Sequence, residues 1–172
     1  MRRFVGVTVL SWLVIVGLDF FQNAGVFARF WLEPGPAFLP SEKLFQRIPL
    51  GYLTFLITAS MLTWLMARLK VVGWKQGALF GLKLGSLLTI TSVLGMACVF
   101  PIKLSLLAVW FVGGLVQYIS AAAVIGSGLS SDRPGRLSVI VVGLVILLII
   151  AGIVMQNLGF APAMQYPSRK TA

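Results

Sequence analysis

The sequence predicts an all-α integral membrane protein, a bundle of five transmembrane helices with a short interfacial helix in its first loop. Three observations carry this prediction: 59% of the 172 residues are hydrophobic, 10% are charged, and five long apolar runs fill most of the chain. Each run approaches the roughly 20 residues with which a helix crosses hydrocarbon. Backbone groups in lipid must pair within their own segment, which favours helices. The longest segment outside the runs, Gln22 to Pro49, is too short for a second core, so we expect one domain.

The five predicted spans are joined by short connections. They cover Phe4 to Phe21, Leu50 to Ala67, Gly77 to Phe100, Leu104 to Ser127 and Leu137 to Met155. The tight turn from Phe100 to Lys103 predicts that the third and fourth spans form an antiparallel hairpin. A polar turn from Ser130 to Gly135 precedes the fifth span. The tail, residues 157–172, is expected to be irregular and exposed.

The first span has two alternative interpretations. Arg2 and Arg3 precede it, as basic residues also precede the apolar segment of a cleaved signal peptide. The residues from Asp19 to Asn23 are not typical of the segment that precedes a signal-peptide cleavage site. We therefore expect the first span to be retained as a membrane anchor. Seven lysines and arginines then lie on the N-terminal side of the membrane and four on the other, with Arg169 and Lys170 set aside as distant. This asymmetry predicts a cytoplasmic N-terminus and an external C-terminus. We expect the protein to lie in the plasma (inner) membrane.

Composition also limits the partners and cofactors. The net charge is +10, but the basic residues are scattered among short loops, which indicates contact with anionic lipid headgroups and not with nucleic acid. Histidine is absent and four residues are acidic, so we expect neither His-ligated haem nor a metal site. Any other cofactor is left undetermined by the sequence. Cys98 is expected to be a buried structural thiol.

The first external loop, residues 22–49, is unusually aromatic, with Phe27, Phe30, Trp31, Phe38 and Phe45. Ser41 to Ile48 follows several prolines and predicts a short amphipathic helix along the membrane surface. Its apolar side would carry Leu44, Phe45 and Ile48. A seal over the outer end of the bundle and a gate or docking surface both fit this pattern.

Small residues recur at every fourth position of the third span, at Gly77, Gly81, Gly85 and Thr89. Such a stripe lets two helix backbones approach closely. The fourth span offers a matching surface in Gly114 and Ala122, with Tyr118 between them. We expect these two surfaces to pack within one chain, although a second copy could also supply the partner.

Three polar side chains within or at the ends of the spans are candidate functional residues. Lys83 lies about 200° from the glycine stripe and can extend to the headgroups or contact a substrate or ion. Asp19 ends the first span and is predicted either to stay hydrated or to pair with Arg29 or Arg47 of the loop. Gln117 is expected to bond Thr89, Thr91 or Ser92 of the hairpin partner, as a packing contact or beside a ligand.

The sequence contains no catalytic constellation of the usual kinds, so we expect a non-catalytic protein. Two non-catalytic functions fit this sequence best. One is an accessory or assembly subunit of a larger membrane complex, with other membrane subunits as partners. The other is a binder of lipid or pigment. The alternative is a small transporter or channel that uses Asp19, Lys83, Gln117 and Tyr118 along its path.

Overall fold

A computed structural model of the chain describes residues 2–31, 38–39, 41–131 and 134–161. This part of the chain is helical and contains no strand. Its elements are α1 (Arg2–Phe21), a π-helical segment (Gln22–Val26), a 3-10 turn (Ala28–Trp31), α2 (Ser41–Gln46), α3 (Ile48–Arg68), α4 (Trp74–Val99), α5 (Leu104–Ser130) and α6 (Pro134–Asn157). Five of the helices are long and apolar enough to cross a membrane, which confirms the predicted number of long apolar helices. Outside the described residues lie Asp132 and Arg133 of the polar turn, Pro34, Pro36 and Pro40 of the first loop, and residues 162–172 of the tail.

The first spanning helix is longer than predicted. After Phe21 the chain continues without a break into the π-helical segment, and the hydrogen bond from Phe27 N to Gln22 O (2.7 Å) closes its last turn. The apolar helix therefore extends to Val26. The sequence predicts that Asp19 ends this span, but Asp19 lies inside it together with Gln22 and Asn23.

The short helix in the first loop ends earlier than predicted. α2 stops at Gln46, and Ile48 is the first residue of α3 and not part of the amphipathic helix. The following Pro49 fits the first turn of a helix, where its missing N–H has no partner to lose. Leu44 and Ile48 are exposed, whereas Phe45 is partly buried. The position of α2 on a bilayer stays a prediction.

Helices α1 and α5 form the centre of the bundle. α1 packs against α3, α5 and α6, whereas α4 packs almost entirely against α5. The buried core consists of Val7, Ile15, Ala59, Leu62, Met66, Ala121, Ala122 and Ile125. α3 and α4 both border α5 but hardly touch each other, so a gap remains between them.

The α4–α5 contact is built on the small-residue stripe. Gly77, Gly81, Gly85 and Thr89 are all buried. A Cβ atom added to Gly81 would lie 2.5 Å from the Tyr118 carbonyl oxygen and 2.8 Å from the Ala122 Cβ atom. Thr89 in turn covers Gly114, where an added Cβ would lie 2.7 Å from the Thr89 methyl carbon. The stripe therefore faces α5 of the same chain, at a distance that larger side chains would prevent.

Polar contacts fix α1 to its neighbours. Arg3 donates from Nε to Gly128 O (3.0 Å) and from Nη2 to Ser131 O (2.6 Å), which are carbonyls at the end of α5. Trp12 Nε1 donates to Tyr52 O of α3 (2.9 Å). At the other end of the molecule, Gln156 Nε2 of α6 donates to Ala24 O (2.8 Å).

Much of the outer surface of the bundle is apolar. α6 exposes large side chains on most sides, among them Val139, Ile146, Leu147 and Ile150. Cys98, which was expected to be buried, is exposed. The reason is that α4 contacts the bundle along its stripe face, whose last buried residue is Thr89, and its last turns extend beyond this contact.

Candidate functional site

A network of polar side chains lies between α1 and α5. Asn23 Nδ2 donates to Asp19 Oδ1 (2.9 Å) and to Asp19 O (3.0 Å), one turn apart on the same helix. Gln117 Nε2 of α5 donates to Asp19 Oδ1 (3.3 Å) and to Gln22 Oε1 (3.2 Å). Gln22 Nε2 continues the network to Gly113 O (3.5 Å). The π-helical segment places Gln22 and Asn23 beside Asp19, and such segments frequently occur at functional sites.

The partners of Asp19 and Gln117 differ from those predicted. Asp19 bonds two amides and forms no ion pair with Arg29, Arg47 or another cation in the described part of the chain. Arg29 and Arg47 are exposed, whereas the Asp19 side chain is directed between α1 and α5. Gln117 bonds α1 because it lies on the face of α5 that meets α1.

The hydroxyl groups predicted as partners of Gln117 are satisfied within their own helix. Thr89, Thr91 and Ser92 donate to the carbonyl oxygens of Gly85 (2.6 Å), Leu87 (2.8 Å) and Leu88 (2.8 Å), each four residues earlier. This pattern is common for Ser and Thr inside helices. It leaves Gln117 without a hydroxyl partner on α4.

A cleft of about 330 Å³ lies beside this network, at the lower end of the roughly 300–1,000 Å³ typical of ligand pockets. Its walls come from α3 and α4, and its floor comes from α5 and one residue of α1. The lining residues are Ile15, Thr54, Phe55, Thr58, Leu88, Thr89, Ser92, Val93, Met96, Trp110, Gly114, Gln117 and Tyr118. Because α3 and α4 hardly touch, the cleft opens sideways on the outer surface of the bundle.

The cleft extends from the middle of the helices towards the turn that joins α4 and α5, because Met96 lies three residues before the end of α4 and Trp110 six residues after the start of α5. Thr58 is the middle residue of α3 and Gln117 is the middle residue of α5. With a rise of about 1.5 Å per residue, each lies on the order of 15–20 Å from either end of its helix. The end of the cleft at Thr58 and Gln117 therefore lies far from both ends of these apolar helices.

An aromatic cluster connects the first loop to the cleft. The rings of Trp31 and Phe38 lie 6.0 Å and 5.7 Å from the ring of Trp110, and 6.0 Å from each other. Trp110 also lines the cleft. In addition, Trp31 Nε1 donates to Asn23 Oδ1 (3.0 Å). The loop is thus attached both to the polar network and to the outer end of the cleft.

Of the other candidate functional residues, one lines the cleft and the rest lie outside the site. Tyr118 lines the cleft and also packs against Gly85 through its Cβ atom. Lys83 is exposed on α4, away from the stripe and from the cleft. Arg29, Arg47 and the α2 residues lie outside the site. Gln22, Asn23, Thr58, Trp31 and Trp110 belong to the network or the cleft but were not among our candidate residues.

Some residues of the network and the cleft could have been found from their spacing in the sequence. Trp110, Gly114, Gln117 and Tyr118 recur at intervals of four, three and one residues, which places them on one face of a helix. Asp19, Gln22 and Asn23 share a face in the same way. Nothing in the local pattern of α3, however, distinguishes Thr58 from its other hydroxyl residues.

The sequence matches no protein-family model, and no curated protein or solved structure is significantly similar to it. The function therefore has to be inferred from the geometry of the chain.

Proposed function

We propose that the chain is a plasma (inner) membrane protein that binds an apolar or amphiphilic molecule of the bilayer in the cleft between α3 and α4. The observation that carries this proposal is the position of the cleft, which opens between α3 and α4 and reaches the middle of these apolar helices. In a bilayer this opening faces the lipid chains, because the hydrocarbon core is about 30 Å thick. A ligand would enter from the membrane and not from water.

The lining supports a ligand that is mostly apolar. Six of the thirteen lining residues are isoleucine, phenylalanine, leucine, valine, methionine or tryptophan, and none of the described lining residues is charged. A few polar groups converge among them, from Gln117, Tyr118 and several hydroxyls. Apolar walls with a few polar groups are typical of small-molecule sites.

A substitution that fills the cleft tests this proposal. Ser92 lines the cleft and is exposed, so Ser92→Phe should occupy it without disturbing the α4–α5 contact. Thr91→Phe is a matched control, because Thr91 is the exposed neighbour with the same helix hydrogen bond and does not line the cleft. We expect mass spectrometry of protein purified in mild detergent to detect a bound apolar molecule in wild type and Thr91→Phe. Ser92→Phe should lose it.

The same bound molecules in all three folded proteins, or none in any of them, would contradict cleft binding.

The alternative function as a channel or transporter has less support. From Gln117 towards the N-terminus of α1 the buried side chains are apolar except for Thr8, Ser11 and Thr63. Their hydroxyls bond to backbone carbonyls. The polar network therefore does not continue across the described part of the bundle.

A second candidate function, as a subunit of a larger membrane complex, is favoured by Lys83. Its side chain is exposed on α4 among large apolar residues such as Leu79, Leu82 and Leu87, and it forms no ion pair with another described residue. Charged residues inside membranes usually pair with another polar group. A helix of another subunit with an aspartate or glutamate would provide one.

Cross-linking with a membrane-soluble carbodiimide, which joins an amine to a carboxylate, tests the subunit hypothesis. We expect an adduct between Lys83 and a carboxylate of another membrane protein. Lys83→Arg keeps the charge but removes the reactive amine, so this variant should assemble without forming the adduct. If wild type in native membranes forms no adduct at Lys83, the pairing is wrong.

A further inference from the structure

The hydrogen bonds of Gln117 leave one of its polar atoms without a protein partner. Its Nε2 atom donates to Asp19 Oδ1 of α1 (3.3 Å) and to Gln22 Oε1 of the π-helical segment (3.2 Å). Its Oε1 atom accepts no hydrogen bond from the described residues. Fully buried side-chain nitrogen and oxygen atoms in this part of the chain all have partners, so Oε1 is accessible. Because Gln117 lines the cleft, the cleft is the space from which a ligand could reach this acceptor.

Two hydroxyl groups of the cleft also lack a hydrogen-bond partner among the described residues. The hydroxyls of Tyr118 and Thr58 form no hydrogen bond with the described residues, although both residues line the cleft. By contrast, Thr54, Thr89 and Ser92 donate to carbonyl oxygens of their own helices, at 3.1, 2.6 and 2.8 Å. The cleft therefore offers one free amide acceptor and two free hydroxyls, which can donate or accept.

We propose that the cleft selects an uncharged lipid with a hydroxyl group, which donates to Gln117 Oε1 and accepts from Tyr118 or Thr58. This inference rests on the proposed function and adds the chemical class of the ligand. An alcohol satisfies both kinds of group at once. An ether or ester oxygen can only accept and would leave Gln117 Oε1 unpaired in a medium without water, which is unfavourable.

The charges around the site favour an uncharged ligand. Among the residues that the structure describes, no lysine or arginine lines the cleft to neutralise a phosphate or carboxylate. Behind Gln117, Asp19 accepts a hydrogen bond from the amide nitrogen of Gln117 and would repel an anion when ionised. A fatty acid or a phospholipid headgroup is thus a poor occupant for this site.

A comparison of three small probes tests the inference: 1-decanol, its methyl ether 1-methoxydecane, and decanoate at pH 8. The protein is placed in lipid nanodiscs, and the midpoint of thermal unfolding is measured against probe concentration. A ligand that binds the folded state raises this midpoint. Ser92→Phe, in which the cleft is filled, gives the contribution of nonspecific partitioning into the lipid.

We expect 1-decanol to raise the midpoint of wild type but not that of Ser92→Phe. The ether and decanoate should need at least about tenfold higher concentrations for the same shift, because one lost hydrogen bond of this kind corresponds to roughly a factor of ten. In Tyr118→Phe, which keeps the ring, 1-decanol should bind more weakly. In Gln117→Met, alcohol and ether should bind alike.

The two proposals fail in different ways. Equal shifts by alcohol and ether in wild type, both lost in Ser92→Phe, would overturn hydroxyl selection and leave cleft binding intact. An equally strong shift by decanoate would overturn the preference for an uncharged ligand. Shifts that are the same in wild type and Ser92→Phe, or absent from both, would overturn cleft binding itself. The probe comparison uses wild type, so it does not depend on the folding of the Gln117 variant.

Discussion

Asp19 is held inside the bundle by amide groups and not by a cation. Its Oδ1 atom accepts from Asn23 and Gln117, so the carboxylate connects two turns of the first span to the middle of α5. Hydrogen bonds of this kind between membrane helices contribute modestly one by one. Their effect on structure is larger, because they fix how α1 is rotated towards α5.

Asp19 provides a prediction at the scale of single residues. Asp19→Leu removes the acceptor of two amide groups and should lower the free energy of unfolding by about 1–3 kcal/mol, the usual cost of unpaired polar groups. Asp19→Asn keeps an acceptor oxygen, so its loss should be smaller. Unfolding with SDS in mixed micelles measures both. Equal losses for the two variants would show that the acceptor oxygen is not what stabilises the helices.

Trp31 provides a second prediction of this kind. Trp31→Phe keeps an aromatic ring beside Phe38 and Trp110 but removes the hydrogen bond to Asn23. We expect a loss of about 0.5–1.5 kcal/mol, the net contribution of one hydrogen bond. Phe30→Leu is a suitable control, because Phe30 is exposed. The SDS unfolding assay distinguishes the two, and equal losses would contradict the assigned role of the indole N–H.

At the scale of helices, the α4–α5 hairpin depends on one face of α4. The stripe glycines face α5, while Lys83, Gly95 and Cys98 lie elsewhere on the helix and touch little. A helix fixed along a single face moves as a unit when that face is altered. Changes on the stripe should therefore affect the cleft as well, because α4 forms one of its walls.

Two glycines of α4 form a matched pair for this prediction. In Gly81→Ala the new Cβ atom would lie 2.5 Å from Tyr118 O, so α4 must shift away from α5, and we expect a loss of about 1–3 kcal/mol. Gly95→Ala meets no atom within 4 Å and should leave stability unchanged or slightly raised. SDS unfolding of both variants is the measurement. A neutral Gly81→Ala would mean that the close backbone contact is not required.

The contact of α1 with the end of α5 predicts an effect of Arg3. Arg3→Gln removes charged hydrogen bonds to two carbonyls at the end of α5, and we expect a loss of about 1 kcal/mol, because Arg3 is exposed and partly screened. Arg136→Gln makes the same change of charge at an exposed residue without such bonds. Comparable losses in the two variants would indicate a general effect of charge and not of the contact.

At the scale of the whole molecule, the main open prediction is the orientation of the bundle. Gln46 and Gln76 are both exposed and uncharged, and they lie on the predicted external and cytoplasmic sides. In a Cys98→Ser background, a membrane-impermeant maleimide should label Gln46→Cys in intact cells. Gln76→Cys should react only after permeabilisation. The reverse pattern would invert the predicted topology without changing the fold.

The sequence by itself determined the number and approximate limits of the five long helices. It also placed the glycines on one face of α4, because apolar length and helical spacing are local properties of the chain. The tertiary structure alone decided which polar groups meet. Asp19 and Gln117 are far apart in the sequence and come together through the rotation of α1 against α5, and the cleft exists because α3 and α4 both pack on α5 without closing on each other. Such contacts depend on how whole helices are arranged, which no local pattern records.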